Sequence, residues 1–564
     1  MSLNLVKPKI DFQKQDFLRN IGLINWSKMF KLAALLVTLV ATSLGDECNS
    51  RDTTYGKVCV CDSTYCDTVP QLDVTAGNYQ IYSTSSSKLG FNSATGSFQT
   101  VTDSDAIGVN VDASTTYQSI IGFGGAFTDS TGININSLPS AAQDNLMNSY
   151  FSESGNQYSL CRVPVGGTDF STRAYSYDDY ENDTTLEYFS LADDDLQYKI
   201  PYIQKAKELT GDTLKLFSSV WTAPPWMKSN NDWAGIGWLK SEYYQLWADY
   251  MMRFFDEYEN HNVSFWGMTP PERTRRRFLS SVLQQDQCYG MGADDNGKAI
   301  LYFGAARLRK GQNRMINKWI GENLGPTLRS SKHKDIKLII HDDNRVLFEN
   351  VRLMLSKPTT LSYTDGVAFH WYTDMLTPPS TTGLDEIQEY REDLFVLATE
   401  ACAGFLNAVG LEQPVEKGSW NRGALYADSI MQNLKYGASG WVDWNLALDE
   451  NGAPTYIDNF VDSPILVNAT LQEFYKQPMF YVMGHFSKFL RPGSVRIETT
   501  ISGTQDNLQA LAFLRPDDLI ALVIYNSGTS DVNVQVQQSD ENAAVIEIEA
   551  KSINTVLYNR VSGA

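Results

Sequence analysis

"LFVLATEAC", residues 394–402, is an apolar run that ends on a carboxylate. Such a run is too short for a typical helix and suits a buried strand, with Glu400 at its tip. Seven further runs have the same form: "SIIGFGGAF" (119–127), "SLCRVPVGG" (159–167), "LKLFSSVW" (214–221), "VSFWGM" (263–268), "IKLIIHD" (336–342), "GVAFHWY" (366–372) and "SGWVDWNLAL" (439–448). Helical patterns separate most of them. Eight apolar strands over this span predict an α/β fold, a (β/α)8 TIM barrel, and polar residues gathered at the strand ends predict a site on the barrel's C-terminal face. Those residues are Asp129, Trp221, His370, Tyr372, Glu400, Trp444 and Asn445.

Outside the barrel the pattern changes. Alternating segments such as "ALVIYNS", "VNVQVQQ" and "AVIEIEA" predict a β-sandwich over 484–564, joined by strands from residues 72–111. The barrel is expected over 112–483. The chain has 564 residues, 43% of them hydrophobic, enough for a large core. Its 66 acidic residues against 46 basic ones give a net charge of −20, which argues against a nucleic-acid partner.

Met29-Phe30-Lys31, the apolar run 32–40 and the small residues 41–45 have the order of a secretory signal peptide, and the run is too short to span a membrane. A mature chain beginning near Asp46 is expected, with residues 1–28 an extension of the gene model. Cys48, Cys59, Cys61 and Cys66 crowd the segment 46–71, as suits two stapled loops in an oxidising compartment; a four-thiolate zinc site is the competing reading. Cys161, Cys288 and Cys402 read as buried or free thiols. Asn182, Asn262 and Asn468 each begin an Asn-X-Ser/Thr glycosylation acceptor.

A barrel mouth lined by aromatics, carboxylates and amides suits a sugar. Each residue also has a plainer reading: Glu400 as a salt-bridge partner, Asp129 as a helix N-cap, and Trp221, Tyr372 and Trp444 as core aromatics. The motifs "GFGGAFTDS", "WTAPPWMKSN", "FHWY", "ATEAC", "GWVDWNLAL", "NFVDSPI" and "FYKQPMFYVMGHFSKF" together resemble the acid glucosylceramidases of glycoside hydrolase family 30. The resemblance implies a retaining β-glucosidase that splits glucosylceramide. It implies Glu400 as nucleophile, Asp129, Trp221 and Trp444 around the glucose, and Tyr372 and Asn459 at the pocket mouth. It also implies Cys48–Cys59 and Cys61–Cys66 pairs, a lysosomal or secreted location, a glycolipid substrate at a membrane surface and a saposin-like activator. No metal or other cofactor is expected, because a two-carboxylate mechanism needs none.

One motif departs from the family. An Asn-Glu-Pro carrying the acid/base should follow Trp266-Gly267-Met268-Thr269, but "PPERTRRR" stands there, residues 270–277. Glu272 is a poor stand-in, since neighbouring arginines favour its ionised form. Synonymous codons for Pro271–Phe278 exist that, read one base later, give Gln-Asn-Glu-Pro-Asp-Gly-Gly. Residues 271–314 are therefore expected to be mistranslated. The competing readings are a non-catalytic glycolipid-binding homologue and a hydrolase of another β-glycoside.

Overall fold

The computed structural model describes residues 45–100, 105–235, 237–270, 292–293, 299–300, 315–503, 506–538 and 542–560. The expected leader at 29–45, apart from Gly45, and the extension at 1–28 lie outside the described residues. So do Glu272, Cys288 and nearly all of 271–314.

Eight parallel strands close into a barrel: β1 (Gly122–Ala126), β2 (Leu160–Val165), β3 (Lys215–Val220), β4 (Gly267–Thr269), β5 (Lys337–Asn344), β6 (Gly366–His370), β7 (Phe395–Glu400) and β8 (Gly440–Asn445). All eight arise from the quoted runs. Successive strands pair in order and β8 returns to β1, so no edge is left open. Side chains alternate between helices outside and barrel inside. Leu160, Phe217, Ile339, Ala368, Leu397 and Val442 form one apolar interior layer. Residues two further along then share that inward face, and these include Arg162, Ser219, His370, Thr399 and Trp444. The barrel thus changes from apolar filling to polar chemistry within one step of the pleat.

β5 departs from this rule. A register shift between His341 and Asp343, with φ of +83° at His341 and +54° at Asp342, inserts an extra residue. His341 packs near Phe348, and Asp342 enters the polar layer instead.

The second module is a nine-stranded sheet ordered Ala543–Ile548, Val532–Gln537, Ile107–Ser119, Val495–Ile501, Leu508–Leu514, Leu519–Asn526, Ser552–Asn559, Asn78–Ser85 and Asn92–Ser97. Both chain ends build it. The strand from Ile107 continues past residue 111 to Ser119, because its pairing with Val495–Ile501 persists that far. One face, including Leu511, Phe513, Val523 and Leu557, packs into the barrel's core; the other, including Ala512, Leu522 and Val556, joins Ile81 and Ile546 in a separate core. Ile81 and Ile546 come from opposite sides of the sheet, and a bridge between Gln99 and Ala543 links its ends, so the sheet folds over itself as a sandwich.

His485, on the helix Pro478–Ser487, sits between Thr555 at 2.9 Å and Thr84 at 3.0 Å and ties this module to the barrel. Burial pushes its imidazole down to about 3, so it stays neutral there. Cys48 is bonded to Cys59 and Cys61 to Cys66. The strand Lys57–Cys61 pairs with Glu473–Lys476, which fixes the N-terminal segment on the barrel unit.

β1 is glycine-rich because its neighbours are close. A Cβ at Gly124 would lie 1.9 Å from the Leu160 carbonyl oxygen. Gly124→Ala is expected to destabilise the protein by about 3 kcal/mol or more in chemical denaturation, since backbone rather than a side chain must move. Unchanged stability would contradict this strand spacing.

Candidate active site

The polar layer centres on one cation. Arg162, fully buried on β2, donates to Glu400 Oε2, to Asp342 Oδ2 at 2.7 Å and to Ser219 Oγ at 2.7 Å. Its guanidinium also lies 5.4 Å from the Trp221 ring and 5.1 Å from the Trp444 ring. Burial disfavours its charge, but Asp342 and Glu400 outweigh this and raise its pKa.

Asp342 collects the other strand tips. It accepts from Ser219 Oγ at 2.6 Å, Thr269 Oγ1 at 2.7 Å and Thr399 Oγ1 at 2.8 Å, and lies 3.0 Å from His370 Nε2. The other ring nitrogen of His370 is 3.7 Å from Glu400 Oε1. Strands β2 to β7 therefore meet in one buried network, and Thr269 brings the end of β4 into it.

Trp221 and Trp444 stack on each other, with centroids 5.0 Å apart and planes 5° apart. Trp444 is buried and Trp221 half-buried. Together with Arg162 and Glu400 they form a cationic and anionic floor beside flat aromatic surface, an arrangement suited to a neutral, hydroxyl-rich ring.

Asp129 lies in an adjoining group. Thr128 caps the helix Asp129–Asn136 through the Thr131 amide, so the N-cap reading of Asp129 is corrected. Asp129 instead accepts from Ser171 Oγ at 2.5 Å and Tyr175 OH at 3.0 Å, with Lys199 Nζ 3.3 Å away. Burial raises its pKa and Lys199 opposes the rise. Tyr372 OH is 3.3 Å from Cys402 Sγ, two residues beyond Glu400. Asn459 donates to Asp169 Oδ2 at 2.9 Å.

Asn182 and Asn262 are exposed, both with positive φ. Asn468 is half-buried, and its amide nitrogen bonds Glu450. Arg162, Asp342, Ser219 and Lys199 were not among the residues expected from sequence. A charge inside the apolar run "SLCRVPVGG" is the signal that marks Arg162.

Residues 120–302 and 305–490 match the glycosyl hydrolase family 30 TIM-barrel domain, and 493–556 match the β-sandwich domain of the same family. The chain belongs to glycosyl hydrolase family 30. Within it, the chain is 38% identical over 523 residues to putative glucosylceramidase 4 of Caenorhabditis elegans, covering 91% of this chain and 95% of the relative. It is 36% identical over 510 residues to the lysosomal acid glucosylceramidase of Mus musculus, covering 89% and 93%. The crystal structure of SrfJ from Salmonella typhimurium superposes with a TM-score of 0.72 at 25% identity, covering 86% of this chain and all of that one.

In this family 30 barrel, removing the central cation strands two buried carboxylates. Arg162→Met is expected to cost about 3–5 kcal/mol of stability in denaturant titration, and Glu400→Gln in that background should recover part of it. Additive losses would show that the two side chains are not coupled.

Proposed function

We propose that this protein is a retaining β-glucosidase that hydrolyses glucosylceramide to glucose and ceramide in sphingolipid metabolism. The observation that carries this reading is Glu400 at the tip of β7, paired with Arg162 beside the Trp221–Trp444 stack. The names of the relatives supply the substrate.

Glu400 is the nucleophile. A carboxylate must be ionised to attack, and the Arg162 cation favours that form. As a Glu400 oxygen bonds to the anomeric carbon, the bond from that carbon to the ceramide oxygen breaks. The ceramide oxygen takes a proton from the acid/base, and water later cleaves the glucosyl ester and restores Glu400. Retention requires the second carboxyl about 5 to 5.5 Å from the first. The end of β4 is the place for it, because Thr269 shares Asp342 with the network around Glu400. The acid/base thus belongs to the segment after Pro270, outside the described residues.

Asp129 grips glucose hydroxyls, and Trp221 and Trp444 pack on the sugar face. Tyr372 and Asn459 stand at the mouth. No helix among the described residues is long and apolar enough to cross a membrane. The enzyme meets its glycolipid at a membrane surface with the help of a saposin-like activator, in the lysosome or after secretion, as the leader-like residues 29–45 suggest.

A 2-fluoroglucoside or cyclitol epoxide should label Glu400 alone, read by peptide mass spectrometry, and Glu400→Gln should abolish labelling and turnover. Label on another carboxylate would refute the assignment. Transcript sequencing across codons 260–320 should return Asn-Glu-Pro after residue 270. The chain expressed with "PPERTRRR" should be nearly inactive on glucosylceramide yet attack aryl glucosides, whose leaving groups need no proton. Full activity on glucosylceramide from that chain would show that another group supplies the proton.

A further inference from the structure

The loop after β2 carries two tyrosines that stand out in solvent together. Tyr180 is 58% exposed and Tyr188 53%, yet their rings stack, with centroids 4.1 Å apart and planes 24° apart. Single aromatics scattered over a surface need no explanation, but a contiguous pair does. With Tyr188 on one face of Tyr180, the exposure of Tyr180 lies on the other.

The backbone holds the pair in place. The Asp183 amide donates to the Tyr180 carbonyl at 3.3 Å, closing a turn whose third residue, Asn182, has φ of +65°. Asparagine tolerates that conformation. The Thr184 amide then donates to the Asn182 carbonyl at 2.9 Å. Beneath the turn, buried Asp183 accepts from the Thr185 amide at 3.1 Å, the Thr185 hydroxyl at 2.9 Å and the Tyr188 amide at 2.7 Å. The next residue, Phe189, is buried against Tyr250, with ring centroids 4.7 Å apart. Tyr188 is therefore pinned from both sides, and Tyr180 leans on it.

Tyr180, Asn182 and Thr184 share this turn, and Asn182-Asp183-Thr184 is a glycosylation acceptor whose asparagine and threonine are both exposed. A pyranose linked to asparagine has a face of slightly positive C–H groups, which the negative face of an aromatic ring attracts. Neither other acceptor offers such a ring. Two places before Asn262 stands Asn260, and two places before Asn468 stands Leu466, which is buried. The Asn468 amide nitrogen is also committed to Glu450.

We infer that Tyr180, backed by Tyr188, is a built platform for the first sugar of a glycan on Asn182, and that this contact locks the turn 180–188. The inference rests on reading residues 29–45 as a leader into the secretory pathway. The donor is a lipid-linked oligosaccharide diphosphate. The Asn182 amide nitrogen bonds to sugar C1, the bond from C1 to the diphosphate oxygen breaks, the diphosphate leaves with that electron pair, and an amide proton is released to solvent.

The test is to express the chain in insect cells with its own leader, trim each glycan to one sugar with an endoglycosidase, and follow glycopeptides and hydrogen exchange by mass spectrometry. Asn182 should carry sugar, and exchange at residues 183–188 in the sugar-bearing peptide should be roughly 5-fold slower than in Thr184→Ala, which keeps Tyr180 but has no acceptor. In a Tyr180→Ala background the same comparison should show no slowing. Equal exchange in the parent and Thr184→Ala overturns the inference, as does slowing that persists without Tyr180. Sugar on Asn262 or Asn468 with none on Asn182 overturns it while leaving the secretory reading intact. Sugar at none of the three would sink both.

Discussion

A guanidinium enclosed by protein is tolerable only when carboxylates and hydroxyls replace its water, and Arg162 is enclosed completely. That requirement organises the barrel's upper half. Arg162 needs Glu400 and Asp342, and Asp342 in turn accepts hydrogen bonds from Ser219, Thr269 and Thr399. Satisfying one side chain on β2 therefore fixes the tips of β3, β4, β5 and β7. The same cation lies over two indoles, where it gains attraction without needing water.

The pleat explains how the sequence reaches this arrangement. Apolar residues fill the barrel one layer below, and two residues later the same face must carry polar groups that pair with each other. β5 needs an irregular backbone because plain alternation would aim His341 inward; the β6–β7 and β8–β1 pairings shift register as well, at Phe369/His370 and Val442/Asn445. The bulge of β5 and its two positive-φ residues deliver Asp342 instead. Strain of this kind persists where the surroundings over-determine it, and five groups holding Asp342 do so.

Much of this was legible in the sequence. The eight strand runs, the sandwich from both chain ends and the family were readable because apolar periodicity and long motifs depend on local order. Glu400, Trp221 and Trp444 were visible as strand-end residues, and the structure joins them through Arg162. Arg162 is signalled in the sequence only by a charge inside an apolar strand run, where an unpaired charge is physically implausible and demands a partner. Asp342 was beyond reach for a different reason: its inward direction depends on a bulge that periodicity does not announce. Thr128, rather than Asp129, caps the first barrel helix, since both residue types serve as caps and only geometry separates them.

The central proposal is that Glu400, at the tip of β7, attacks the sugar as the nucleophile of a retaining mechanism. The most direct measurement is the anomeric configuration of the first glucose released, followed by proton NMR during hydrolysis of an aryl β-glucoside. Attack by Glu400 on one face, followed by water on the opposite face that the leaving group vacated, gives β-glucose first, with α-glucose appearing only as mutarotation proceeds. α-Glucose as the first product would mean single displacement by water and would contradict the account.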